Sequence, residues 1–187
     1  MRRFRTEHVG REIIQRIIET ATYAPNAHNR QAWRFINLET QKSRVALADA
    51  MGVDFAQTLR TEKLTEEEIA AQLARSKARI LEAPAAILLC LDLEALDKYA
   101  DTGRTQGEYL MGVQSVALAG GQLLLAAHAE RLGAVWICSP LFTPEPVAKA
   151  LDLPDSWQAQ GLILLGYPVK TPEERPRLNV KDVTTNR

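Results

Sequence analysis

The sequence predicts one mixed domain in which helices pack against a β-sheet. Two observations lead there: segments with apolar residues at helical spacing alternate with short apolar runs, and 46% of the 187 residues are hydrophobic with no repeat or linker dividing them. A chain of that size and composition builds a single core. Residues 1–187 are therefore read as one domain, with a polar, proline-bearing tail from about Lys170 to Arg187 that is too charged to pack alone and is a candidate to wrap a partner subunit.

The elements follow in order. REIIQRIIETATYA places Ile13, Ile14, Ile17, Ile18 and Ala21 on one face, a core-facing helix that Pro25 ends. AWRFINLE sets Trp33 and Phe35 against Arg34 and Ile36, a first strand. KSRVALADAM is a second helix. Thr65 stands three residues before Glu68, a capping box that opens a third helix running to about Glu82, and Pro84 stops it. AAILLCLDL is a buried strand, too short and too interrupted by Asp92 to span a membrane. LDKYADTGRTQGEYLMG has no clean period and reads as a loop or short helical turns, a candidate lid. The most apolar helix follows, VQSVALAGGQLLLAAHAERLG, with Gly120 and Gly121 in its middle despite a cost of about 1 kcal/mol each. Something must approach that backbone closely, and such a helix belongs at the centre of a domain or of a dimer. Gly133 ends it, AVWICS is a third strand, TPEPVAKALDL a short helix with proline in its first turn, and GLILLGYPV a fourth strand.

Balanced charge, with 23 basic and 23 acidic residues, gives no electrostatic footprint for nucleic acid. The N-terminus is not followed by the apolar run of a signal peptide, so the expectation is a cytoplasmic protein. Cys90 and Cys138 form no CxxC, so neither a disulfide framework nor a metal site is expected. The loop between the first helix and first strand gathers Asn26, His28, Asn29 and Gln31. Amides there suit a flat heteroaromatic ligand with donors and acceptors along its edge. On the residues alone, asparagines that brace a turn explain the loop equally well.

APNAHNRQAWRF resembles the AP-S-x-x-N-x-Q-P-W-x-F motif of the nitroreductase family, with Asn26 in place of serine and Ala32 in place of proline. FRTEHVGREIIQRIIETA resembles the family's first helix, GGQLLLAAHAERLGAVWICSPLF its central helix and next strand, and LILLGYP its last strand. Within the family, the stretch from Ala129 to Pro168 is most similar to the C-terminal domain of bacterial coenzyme F420 gamma-glutamyl ligases, without the ligase domain.

The resemblance implies an α+β fold with a mainly antiparallel sheet flanked by helices, and an intertwined homodimer joined through the glycine-containing helix, with FMN at each of two interfaces. It implies an oxidoreductase that moves hydride from NAD(P)H to a conjugated acceptor by a ping-pong sequence; the acceptor is a nitroaromatic, a quinone, an enone or a precursor of coenzyme F420. Carried over residue by residue, Arg175 and Arg177 hold the phosphate, Arg2 and Arg79 supply positive charge near N1 and O2, and the backbone of Ile137, Cys138 and Ser139 lies near N5. Pro25, Asn26 and Ala27 contact the ring from the second subunit, while His28 and Asn29 face the substrate or brace the loop. Each arginine also reads as an ordinary surface residue, and Cys138 as a small core residue.

The family's R-R-S-type stretch before the position of Phe4 has no counterpart in this sequence. The expectation is either a start further upstream or FMN binding weakened by roughly 3 kcal/mol, about a hundredfold. The alternative to an enzyme is a non-catalytic module that holds a flavin or coenzyme F420 for a partner, and a ligand-free dimer scaffold ranks third.

Overall fold

The run Ala85–Leu91 carries no polar side chain, so a strand there must be covered on both faces. The computed structural model, which describes residues 3–170 and 173–187, builds the fold around it. Among these residues the order is α1 (Arg11–Ala21), β1 (Trp33–Asn37), α2 (Gln41–Thr61), α3 (Glu66–Leu81), β2 (Ala85–Asp92), α4 (Thr102–Ala129), β3 (Gly133–Ile137), α5 (Pro144–Ala150) and β4 (Trp157–Gly166). The strands form one antiparallel sheet in the order β1-β2-β4-β3, the α+β arrangement expected.

Helices cover both faces. Ile87, Leu89 and Leu91 of β2 and Ile163 and Leu165 of β4 pack on α1 and α4, through Ile14, Ile17, Val116, Ala119 and Leu123. Ala86, Leu88, Cys90, Leu162 and Leu164 pack on the opposite layer, against Leu47 and Met51 of α2, Ile80 of α3 and Val147 of α5. The period-2 alternation of strand side chains sorts the two sets. Arg44 of α2 is buried and has no carboxylate partner among the described residues: it donates to the carbonyls of Leu38, Ala83 and Pro84, tying α2 to the end of β1 and the start of β2. Burial pushes its guanidinium pKa down.

The helix starts follow from caps. Thr65 and Glu68 make the expected capping box. Thr40 accepts from the Ser43 N–H at 3.1 Å to open α2, and Asp101 accepts from the Gly103 N–H at 2.9 Å to open α4. That last cap refines the reading of residues 96–112 as a loop or short helical turns: from Thr102 onward they are the first turns of the long helix α4, leaving only a short connection behind β2. The helix expected over residues 42–51 continues to Thr61, and β4 starts at Trp157, before Gly161.

Gly133 does not end α4; it is the first residue of β3. Three helices end through non-glycine residues in the left-handed region, Lys63, Arg131 and Asp152, with φ of 64°, 63° and 52°. In each case the following leucine donates its N–H back one turn, Leu64 to Leu59 at 3.2 Å, Leu132 to Ala127 at 2.9 Å and Leu153 to Ala148 at 2.9 Å. The bond satisfies a terminal carbonyl while the leucine closes over the helix end.

The group that approaches the glycine pair is Trp136 of β3. A Cβ on Gly120 would overlap its indole, and one on Gly161 would meet the other edge of the same ring at 2.5 Å. Gly161 sits where the β2–β4 register slips past Gln160, a bulge that helps seat the ring. Gly121 faces open space. Gly120→Ala is therefore expected to cost roughly 3 kcal/mol or more in a urea titration. Adding Trp136→Leu should recover part of that loss, and Gly121→Ala should be tolerated.

Candidate functional site

Asn26 turns the chain out of α1 by bonding to its own loop: Oδ1 accepts the Gln31 N–H at 2.9 Å and Nδ2 donates to the Ala24 carbonyl at 3.4 Å. The bracing role of Asn26 is thus realised in the structure. Inside this clasp His28, Asn29 and Gln31 adopt left-handed backbone, with φ of 52°, 53° and 49°. Such conformations persist where the surroundings hold them. Here the Ala27 N–H donates to Ser115 Oγ of α4 at 3.3 Å, Arg30 pairs with Asp97, and Arg34 pairs with Asp92 at 2.6 Å while donating to the Gln31 carbonyl at 3.0 Å. The loop is fixed, and it presents Pro25, His28 and Asn29 to solvent. Among the described residues the Asn29 amide makes no hydrogen bond. Asn26 and Ala27 are half-buried over a small cavity shared with Arg30, Gln31, Glu108 and Ser115.

A second, larger cavity of about 830 Å³ opens on the other layer, between α2, α3 and the turn after β3. Met51, Phe55, Leu73 and Phe142 give it apolar walls, and Arg75, Arg79, Ser139 and Thr143 supply polar groups. Its size and lining suit a planar organic ligand. Neither Arg75 nor Arg79 has a carboxylate partner among the described residues. The Thr143 hydroxyl, in a residue only 5% exposed, has no hydrogen-bond partner among the described residues. A buried hydroxyl left so is satisfied by a ligand or a water. The Cys138 carbonyl accepts the Leu141 N–H at 2.9 Å, turning β3 into the short 3₁₀ segment Ser139–Phe142 and leaving Cys138 and Ser139 exposed.

The expected site residues therefore fall in separate places. Arg79 and Ser139 share the large cavity, next to Ile137 and Cys138 at the end of β3. Pro25, Asn26, Ala27, His28 and Asn29 lead into β1, at the opposite edge of the sheet. Three strand spacings, roughly 14 Å, separate those edges. Arg175 and Arg177 lie in the exposed tail, and neither lines either cavity; Arg177 donates only to the carbonyls of Arg175 and Pro176. Arg2 lies outside the described residues. The reading of Cys138 as a core residue is corrected, because the buried cysteine is Cys90. Sequence reasoning missed Arg75, which lies in no motif, Phe142 and Thr143, which close and follow the stretch matched to the central helix and third strand without being singled out, and Glu108, hidden in the segment read as a loop or short helical turns. Its signal was the spacing Glu108, Gly112, Ser115, Ala119, one face of a helix.

The comparisons with known proteins agree with this architecture. Residues 1–167 match the nitroreductase family. The 5,6-dimethylbenzimidazole synthase of Rhodospirillum rubrum is 32% identical over 173 residues, 90% of this chain and 77% of the relative. The NADH dehydrogenase of Thermus thermophilus is 29% identical over 208 residues, covering 98% of this chain and 89% of the relative. Among solved structures, the NADPH:FMN oxidoreductase of Vibrio harveyi complexed with NAD+ shares the fold with a TM-score of 0.76 at 22% identity, over 100% of this chain and 72% of that one. Fold and relatives define an α+β oxidoreductase. The chain belongs to the nitroreductase family.

The two thiols differ in a testable way. Cys138 is exposed, whereas burial pushes the Cys90 thiol up to about 12. Iodoacetamide is expected to modify one cysteine in the native chain, Cys138, and the second only after unfolding, as read by intact mass.

Proposed function

We propose that this chain is an FMN-dependent oxidoreductase that acts as a homodimer and passes hydride from NAD(P)H to a conjugated acceptor. Bound FMN supplies the two-electron relay between donor and acceptor. The chain's own residues bind and orient. Arg79, with Arg75 beside it, brings positive charge to the large cavity, whose lining also carries Asp54 and the Lys77–Asp49 ion pair. The main chain of Ile137, Cys138 and Ser139 offers hydrogen-bonding groups at its rim, and the Thr143 hydroxyl a buried one. The Pro25–Asn29 loop of a second copy closes the cavity, with His28 toward the acceptor, and the tail's Arg175 and Arg177, with Arg2, complete the grip on the phosphate.

The observation that most supports this reading is the division of the site: the amide loop and the large cavity lie at opposite edges of one sheet, so a second chain is needed to join them. An exposed apolar stripe on α4 is suited to that association. Leu110, Leu118 and Leu125 are 50%, 49% and 72% exposed on one helix face, with Ala117 and Gly121 between them. Leu178, Val180 and Val183 on the tail are equally bare and suit a tail that embraces the other copy. By length and composition α4 would also pass for a membrane span, but its inner face packs on the sheet. Relatives whose names range from a dehydrogenase to a synthase are consistent with acceptor choice by the cavity lining rather than by the fold. The resemblance to the F420-ligase domain makes a precursor of coenzyme F420 one acceptor to assay beside nitroaromatics, quinones and enones. We propose a cytoplasmic setting, where NAD(P)H is available.

The reading is tested by adding FMN to the purified chain, removing the excess and recording the visible spectrum before and after anaerobic NADH or NADPH. A retained flavin band that bleaches is expected. Retention without bleaching would favour the binding-module alternative, and no retention at saturating FMN would overturn the reading. Arg79→Ala should weaken FMN binding about tenfold, and Arg175→Ala with Arg177→Ala more than tenfold, through lost charge-assisted hydrogen bonds. Leu118→Arg with Leu125→Arg should give monomers by sedimentation and abolish FMN retention together.

A further inference from the structure

The small cavity beneath the Asn26–Gln31 loop ends on a carboxylate that the chain does not fully use. Glu108 of α4 is 1% exposed. Its Oε1 accepts the Asp97 N–H at 3.2 Å, and among the described residues its Oε2 has no hydrogen-bond partner. An unpaired oxygen on so deeply buried an acid calls for a proton, a water or a cation. Two further donor side chains lie beside the same carboxylate. A ring nitrogen of His28, a carboxylate oxygen of Asp97 and one of Glu108 all lie within 4.8 Å of one another.

We propose that His28, Asp97 and Glu108 form a binding site for a divalent transition-metal ion of the zinc or manganese type. One imidazole with two carboxylates is a mixed nitrogen and oxygen donor set, which favours these ions over magnesium or calcium, whose preferred ligands are oxygens alone. Donor bonds of about 2.0–2.2 Å put neighbouring ligands roughly 3.0–3.4 Å apart, so the triad draws together slightly on binding. His28 is exposed and makes no side-chain hydrogen bond among the described residues, so its ring is free to swing inward. Arg30 does not exclude the ion. A carboxylate has about four lone-pair positions, so Asp97 can accept from Arg30 and ligate a metal together, and the ion pair orients the ligand. With Arg30 counted, two carboxylates leave one net negative charge for a dication to meet. The site is thus weaker than a closed four-ligand zinc centre and keeps positions for water.

Such an ion would join three segments distant in sequence: the left-handed loop, the connection after β2 and α4. It would clamp the loop that, in the proposed function, covers the flavin, but its binding does not depend on that reading.

The test is calorimetric titration of the tag-free, chelator-treated, flavin-free full chain with Zn²⁺ and with Mn²⁺. One ion per chain is expected for at least one of the two metals, with affinity lowered at least tenfold by Glu108→Gln and by His28→Ala and unchanged by His8→Ala. No saturable binding of either metal, or binding that survives both ligand substitutions, overturns the proposal and assigns the Glu108 oxygen to a proton or a water. Should Glu108→Gln fail to fold by circular dichroism, His28→Ala decides alone, since its side chain holds nothing else in place. No flavin is present, so a chain that fails to bind FMN still answers the question.

Discussion

A strand with no polar face has to be buried twice, and β2 imposes that condition on everything around it. Seven consecutive apolar residues from Ala85 to Leu91 admit neither an edge position nor a bare face. One helical layer supplies α1 and α4, the other α2, α3 and α5, and β4 shares the centre of the sheet. β1 and β3 are left at the edges. Irregular backbone with exposed polar groups can only gather where those edge strands begin and end, because the interior of each layer is packed. The amide loop enters β1 and the Cys138–Ser139 turn leaves β3, so both candidate regions sit at the rim for the same reason.

That placement has a cost for a single chain. Recognition of a planar ligand requires groups on both of its faces, and the order β1-β2-β4-β3 puts the two regions at opposite edges. No loop movement of a few ångströms spans the sheet, and the Asn26 clasp and the Arg30 and Arg34 ion pairs hold the loop to its own subunit. In the proposed dimer a second copy would bring the two regions together without any conformational change. The apolar stripe of α4, unexplained by the core of one chain, is the surface that such an arrangement would use.

Much of the fold was legible because local and long-range signals agreed. The α1 periodicity, the Thr65 capping box and the apolar β2 run each found the structure they predict. The start of α4 was missed because the segment from Tyr99 to Gly112 mixes charged, polar and glycine residues. Its one strong mark was Asp101 at the cap, which binds the Gly103 N–H. Misplacing that start hid Glu108 from view. The end of α4 was misplaced because glycine is the usual left-handed terminator, whereas here Arg131 adopts φ 63°. For the candidate site, the family motif named the loop and Arg79, but Arg75, Phe142 and Thr143 come together only through the packing of α2 on α3 and α5. No spacing in the sequence encodes that meeting.

The two adjacent glycines of α4 show how one helix serves two surfaces. Each costs about 1 kcal/mol of helix stability, so neither is kept without a use. Gly120 points inward and leaves the slot for the Trp136 indole, whose other edge rests on Gly161. One residue on, the helix has turned by about 100° and Gly121 points outward, meeting nothing in its own chain and lying between Leu118 and Leu125. The inner glycine is explained within the monomer by a ring that needs the space. The outer one, between two exposed leucines, has no such ring to admit, and in the proposed dimer it would let another backbone approach as closely as the indole does inside.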